Sequence, residues 1–587
     1  MTRVRLRRAL VALAAVGLTC PTAAAAREGL RPIDACDWTS FRNGPSNPGA
    51  STCEAIDAID VPTLVPQLLY RTRDSVTSTP AVVDGVLYVG TWDGSFYAFD
   101  ATGTGIGDPS LTGGPIPTVA PLWETRIDDE NGVSFGRIVS SPTVTDVAGT
   151  RVVVFAGGAT VYVLDARNGR VLAQQCLDPR DHHRCRGSGD DEIEVETSPV
   201  VVPEQPGAVG VIVGLDVHNA SGIGRTGVVK LVLARTGSTW SLAPRWKYDP
   251  EAGAPTTGRG LLTAGSGSGG GCGGVWGTPA VDATANLVVF GTASCNTTNA
   301  GPDGIKGTGD EGKRGEEIFA VRYTDGATVW RHSPDRPFGD HMDDDFGSSP
   351  QLFGLDLGRA RGMTLVAGIG GKDGWYYALD AATGAPIWRS HLGQTGHVDE
   401  GFAIGGVLGS PALGTARGRP AIFVTTAIST PVGAPLDEGS PASIDGSLAE
   451  DPGRLLSLHA IDAATGAVLW RQPLTRQTYG HPTFANGVVF VPSTAGFSVQ
   501  AFEASTGALL WTSPLLNGPP SSGVAVTADA IYLGTGTRQT DAGFKITGND
   551  SALPSDVTGV VSDIVTDVAG ADPQERTAGI WAFRVAS

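Results

Sequence analysis

Apolar residues in this chain fall into short runs broken by Gly, Pro, Asp and Thr, a strand period rather than a helical one. The run Ala81-Val82-Val83-Asp84-Gly85-Val86-Leu87-Tyr88-Val89-Gly90 shows the pattern, with Asp-Gly between two β-branched stretches. Such a dipeptide predicts a hairpin turn. A further type of run ends on an acidic residue, turns at Thr-Gly, and resumes with a Trp five residues after the Thr. The clearest copy is Tyr376-Tyr377-Ala378-Leu379-Asp380-Ala381-Ala382-Thr383-Gly384-Ala385-Pro386-Ile387-Trp388. Related copies run from Leu458 to Trp470 and from Gln500 to Trp511. A single unit of this kind cannot bury its own apolar face, so the copies must stack and share a core.

The start of each unit carries a second signal, a Pro that usually follows two small residues. It recurs as Ser78-Thr79-Pro80, Ser140-Ser141-Pro142, Thr197-Ser198-Pro199, Gly277-Thr278-Pro279, Ser348-Ser349-Pro350, Gly409-Ser410-Pro411 and Gly480-His481-Pro482. An eighth copy, Ser521-Ser522-Gly523, lacks the proline. Pro is tolerated at the first residue of a strand, where its missing N–H is not needed. The expected fold is all-β: an eight-bladed β-propeller of four-stranded antiparallel blades. The eighth blade lacks its Trp strand after Gly579-Ile580-Trp581-Ala582-Phe583-Arg584-Val585. The run Leu64-Val65-Pro66-Gln67-Leu68-Leu69-Tyr70-Arg71 is expected to complete it and close the ring. Seven blades with one decorated insertion is the alternative.

The abundance of Gly, 82 residues, suits many tight turns. Residues 1–26 read as a secretory signal peptide, with a basic start, an apolar stretch at 9–18 and Ala24-Ala25-Ala26 for cleavage. Residues 27–63 form an N-terminal extension, and 64–587 the propeller. Beyond Cys20 in the signal, six Cys stand in close pairs: Cys36 with Cys53, Cys176 with Cys185, Cys272 with Cys295. An even count in an exported chain points to disulfides and to a secreted or periplasmic location. No Cys-x-x-Cys-His occurs, so the chain encodes no c-type haem attachment. The formal charge of −18 argues against nucleic acid or an anionic membrane as a partner. No other apolar run is long enough to span a bilayer.

The blade pattern resembles the pyrroloquinoline-quinone (PQQ) repeat of quinoprotein alcohol dehydrogenases. Within it, Asp345-Phe346-Gly347-Ser348-Ser349-Pro350 and Gly371-Lys372-Asp373-Gly374-Trp375-Tyr376 are most similar to the polyvinyl-alcohol-dehydrogenase-like branch. The resemblance implies PQQ in the central funnel beside a calcium ion, over a tryptophan floor. A cation reaches the quinone oxygens, and an aspartate takes the proton of an alcohol substrate. Trp276, in Gly273-Gly274-Val275-Trp276, matches the floor. Lys372 matches the cation, which would stabilise charge building on the quinone oxygen. Thr197 resembles a position that hydrogen-bonds the cofactor. Asp310, in Gly307-Thr308-Gly309-Asp310, resembles the base and a calcium neighbour. The run His341-Met342-Asp343-Asp344-Asp345 is a rival acidic cluster, resembling one that is structural in the family.

The calcium ligands depart from the family pattern. The third-repeat segment Gly214 to Ser221 has no Glu, and offers Asp216 or Asn219. In the fourth, Ser294 takes the direct position and Asn296 lies two residues later. A site of Asp216, Asn296 and Asp310 would be a rebuilt one, since calcium requires several oxygen donors. Two functions follow as expectations. One is an exported PQQ- and calcium-dependent dehydrogenase passing electrons to a separate acceptor. The other is a non-catalytic propeller serving as an envelope binding or assembly scaffold. Residues 429–453 and 539–575 lack repeat features and are long enough to be functional loops.

Overall fold

A computed structural model describes residues 31–103, 119–127, 137–178, 185, 193–217, 226–258, 260–262, 273–293, 315–334, 345–358, 362–393, 396–398, 402–403, 406–426, 442–443, 457–474, 478–494, 496–520, 522–536 and 578–586. Within residues 33–587 the β runs form eight antiparallel blades, which excludes the seven-blade alternative. Blade 4 is built from Ala280–Asp282, Leu287–Gly291, Ile318–Arg322 and Thr328–His332. Blade 5 is built from Gln351–Asp356, Met363–Gly370, Trp375–Asp380 and Pro386–His391. First strands of successive blades lie side by side around the axis. Each apolar cluster is shared by two neighbouring blades, as between blades 4 and 5 through Phe346, Ile369 and Trp330.

The blade Trp is an inter-blade fastener. Trp330 Nε1 donates to Ala381 O, Trp388 to Ala463 O and Trp470 to Ala504 O, at 2.7, 3.0 and 2.9 Å. Each acceptor follows the acidic residue of the next blade. The indole then lies over that blade's turn glycine: a Cβ on Gly384, Gly466 or Gly507 would fall 2.5–2.7 Å from it. These glycines also have φ near +72 to +77, so the turn requires glycine for both reasons.

The Pro-marked starts form a hydrogen-bonded hoop. Thr79 N–H donates to Ser141 Oγ, and the same link joins Ser141 to Ser198, Ser198 to Thr278, Thr278 to Ser349, Ser349 to Ser410 and Ser410 to His481 Nδ1. Gly523 N–H returns to Thr79 Oγ1 at 2.9 Å. The eighth start is therefore displaced by one residue from its expected register. Ser522, not Ser521, takes the leading position, with its Oγ accepting from Gly534 N–H as Ser348 accepts from Gly370. Gly523 stands at the middle position, and having no side chain it offers blade 7 no acceptor.

Closure by strand is as expected. Leu64–Arg71 pairs antiparallel with Gly579–Val585, so the two ends of the propeller complete blade 8, with a bulge between Pro66 and Leu68. The extension just before it threads the first strands. Val82, Val144, Val281, Leu352, Leu413 and Phe484 donate their N–H groups to Trp38, Thr39, Pro45, Ser46, Pro48 and Gly49 carbonyls. Ser51 Oγ donates to Val526 O at 3.2 Å. Residues 38–51 thus touch the first strand of every blade but the third. Cys36–Cys53 and Cys176–Cys185 are disulfides. Cys272, Cys295, Asn296, Asp310, all of 539–575 and nearly all of 429–453 lie outside the described residues. No helix among the described residues is long and apolar enough to cross a membrane.

Candidate active site

Each blade presents two segments at the same end: the lead-in to its first strand and the turn between its second and third strands. A backbone bond joins them in blades 5, 4 and 1. Lys372 N–H donates to Asp345 O, Ala293 N–H to Gly274 O, and Trp92 N–H to Ser75 O. Asp345, Gly274 and Ser75 each stand three residues before a blade start. In blade 3 Glu194 holds that position, and Asp216 stands opposite it in the ladder. Asp216, Ala293 and Lys372 are therefore corresponding residues of three consecutive blades.

Blades 4 and 5 bring two of the sequence candidates together through a third residue. Lys372 Nζ donates to Asp345 Oδ2 at 3.1 Å, and Trp276 Nε1 donates to the same oxygen at 3.2 Å. The ammonium lies 5.5 Å from the centroid of the Trp276 ring. Both charged residues are 6% exposed. A buried ion pair persists only where further hydrogen bonds satisfy the charges, and the indole N–H supplies one. The indole rests on Gly347, where a Cβ would fall 1.7 Å from Cη2. Trp276 itself is half-buried, which leaves part of the ring available to a ligand.

The Lys372 turn is fixed by its neighbour. Asp373 accepts from Trp375 N–H through Oδ1 at 3.1 Å and from Tyr377 O–H through Oδ2 at 2.5 Å. These bonds commit the Asp373 carboxylate to the turn. Behind it, burial and then the Arg389 guanidinium hold the His332 pKa below its ordinary value, so it is neutral at pH 7.

Asp216 is buried beside the same loop. A Cβ on Gly274 would lie 1.9 Å from Asp216 Oδ1, so the carboxylate lies against the backbone two residues from Trp276. Ala293, bonded to Gly274, precedes Asn296 by three residues. Among the described residues no group of three or more His, Cys, Asp or Glu is arranged to hold a metal ion. Thr197 does not join the Lys372–Asp345–Trp276 junction. Its hydroxyl is fully buried, accepts from Gly214 N–H at 2.8 Å and faces Gly214 O at 3.3 Å. That is the bonding of Ser348 and Ser522 in their own blades.

The sequence left Asp345 within a run of three acids and gave no sign that it meets Lys372. Gly347 and Gly274 passed unnoticed, although both precede a blade start and leave room for a side chain from a neighbour. Glu196 holds the position in blade 3 that Trp276 holds in blade 4, one residue before the start.

A family model described as "Glucose/ethanol/alcohol dehydrogenase, beta-propeller domain" matches residues 62–391, more than half of the 587. A second, described as "Outer membrane protein assembly factor BamB", matches residues 372–552. Among solved structures, quinohemoprotein alcohol dehydrogenase ADHIIG of Pseudomonas putida HK5 is 17% identical with a TM-score of 0.64, covering 94% of this chain and 80% of its own. A europium-containing methanol dehydrogenase is also 17% identical, with a TM-score of 0.58, covering 94% and 98%. Quinohemoprotein alcohol dehydrogenase of Comamonas testosteroni is 16% identical, with a TM-score of 0.58, covering 94% and 80%. At such identities the likeness is one of fold. No curated protein matches the chain.

Proposed function

The chain belongs to the glucose/ethanol/alcohol dehydrogenase β-propeller family, and from that premise we propose that it is an exported dehydrogenase oxidising an alcohol with PQQ. One observation carries the reading: a lysine and a half-buried tryptophan from adjacent blades converge on one carboxylate oxygen, Asp345 Oδ2. The donor set suits a flat, anionic, carbonyl-bearing ligand, with an aromatic face from Trp276 and a buried cation from Lys372. When bound, PQQ would supply the acceptor for the substrate's hydride.

The chain's own residues would do the rest. Trp276 would set the plane of the ligand. Lys372, held by Asp345 in a low-dielectric site, would favour negative charge on a nearby oxygen. Asp310 would take the alcohol's hydroxyl proton. Asp216, Asn296 and Asp310 would hold calcium, and Asp216 is the only one of these among the described residues, so no step is assigned to the metal. Thr197 would contact the cofactor only through capacity its bonds to Gly214 leave over. The match of Asp345–Pro350 and Gly371–Tyr376 to the polyvinyl-alcohol-dehydrogenase-like branch favours a secondary or polymeric alcohol. Electrons would leave to a separate acceptor.

The second reading, an envelope scaffold without catalysis, is favoured by the assembly-factor match over residues 372–552 and by the lack of a Glu from Gly214 to Ser221. Dye-linked oxidation by the mature protein with PQQ and calcium separates the two. The dehydrogenase reading expects turnover of primary, secondary or polymeric alcohols, abolished in Trp276→Ala and Asp310→Asn. Dye that stays oxidised with every alcohol, under conditions where PQQ is bound, would leave the scaffold reading standing.

A further inference from the structure

The segment at residues 38–51 carries a charge that the proposed dehydrogenase chemistry does not use. Arg42 lies in it with its side chain 1% exposed. Its backbone is left-handed, φ 53, as is that of Asn43, φ 58, a conformation that is costly for residues with a Cβ. Gly49 makes room for it: a Cβ there would lie 1.7 Å from Arg42 Nη2. Nη2 donates to Pro411 O. Nε and Nη1 meet no acceptor.

Among the described residues no carboxylate neutralises this cation. The carbonyl of Pro411 also accepts from Gln351 Nε2 at 2.9 Å, and those of Pro279 and Pro350 accept from Asn47 Nδ2 at 3.1 and 2.9 Å. Burial, rather than any carboxylate, governs the titration of Arg42, lowering its pKa to about 9. His481, edge-on to Phe41 at 5.3 Å, uses Nδ1 to accept from Ser410 N–H, and is kept neutral by burial and then by Arg42 itself. A guanidinium buried without a counter-charge is strongly unfavourable. The two unpaired nitrogens lie on different edges of the planar guanidinium, and an N–H of either is suited to an anion.

We propose that Arg42, through an unpaired N–H at Nε or Nη1, holds a small inorganic monovalent anion of the chloride class, between the threaded segment and blades 6 and 7. The anion completes the segment's seat on the first strands and is independent of the Lys372 site. A ligand that binds only the folded protein raises its stability with concentration. The thermal midpoint should therefore rise with chloride at constant ionic strength, with gluconate as the balancing anion. The rise should vanish in Arg42→Met. Crystals of the wild-type protein in bromide should give an anomalous peak within hydrogen-bonding reach of Nε or Nη1. That second measurement needs no variant to fold. Bromide-free density filled by water, or a chloride response equal in wild type and Arg42→Met, would overturn the proposal.

Discussion

Asp345 is one of three adjacent aspartates, and its place three residues before a blade start is what aims it at Lys372 and Trp276. Asp345→Asn keeps the shape and removes the charge that pairs with the lysine. Loss of a preorganised charge contact at a reacting centre costs on the order of 100-fold in rate. The expected outcome is a fall of that size in kcat/KM for alcohol, with the thermal midpoint shifted by only a few degrees. A normal rate would place Asp345 outside the chemistry. Two histidines give a second prediction. Burial, then Arg471, lowers His459 from the ordinary 6.5 to about 3. Burial, then Arg42, does the same for His481. On acidification the unfolded chain takes up these protons first, so their contribution is fully present above about pH 6.5 and is lost as pH falls toward 3. Each histidine should remove roughly 1 kcal/mol per pH unit across that window. Unfolding curves from pH 7 to pH 5 check the slope, and His459→Gln should flatten it.

Strand and turn are where the sequence was most legible. The acidic end, the Thr-Gly turn and the Trp five residues on specify one local geometry, because the indole must reach the turn of the next blade. Trp470 and Gly507 test this directly. Gly507 has φ 77 and Gly487 φ 82, but a Cβ on Gly507 would lie 2.6 Å from Trp470 Cε3 while one on Gly487 meets nothing within 4 Å. Gly487→Ala should show the backbone cost alone, about 1 kcal/mol. Gly507→Ala should cost clearly more by urea unfolding, and equal losses would mean that the Trp470 contact carries no weight. Eighth-blade register was misread by one residue because Ser521 and Ser522 are chemically alike. Only the bond to Gly534 distinguishes them.

Across the whole molecule, the residues least readable from sequence are those whose partners lie hundreds of positions away. Residues 38–51 look like a featureless extension, yet Asn47 bonds carbonyls of blades 4 and 5 and Arg42 one of blade 6. Nothing local in Phe41-Arg42-Asn43 signals that. Lys372 and Trp276, by contrast, were legible through their motifs, although the carboxylate joining them was not. The Cys36–Cys53 bridge spans 17 residues around the threaded segment. Replacing both cysteines with Ser should lower stability by roughly 3 kcal/mol on the loop-entropy account, while leaving the strand closure of blade 8 intact. Calorimetry of the double variant measures this. An unchanged midpoint would mean that the hydrogen bonds to the first strands hold the segment alone.

Adjacent blades are proposed to assemble a quinone-binding junction at Trp276, Asp345 and Lys372. The direct measurement is an equilibrium titration of the mature protein with PQQ in excess calcium, followed by quenching of tryptophan fluorescence. Saturable one-to-one binding is expected, weakened at least about tenfold in Lys372→Ala, the loss of one charge-assisted contact. Binding that is absent at micromolar PQQ, or unaffected by removing Lys372, would contradict it.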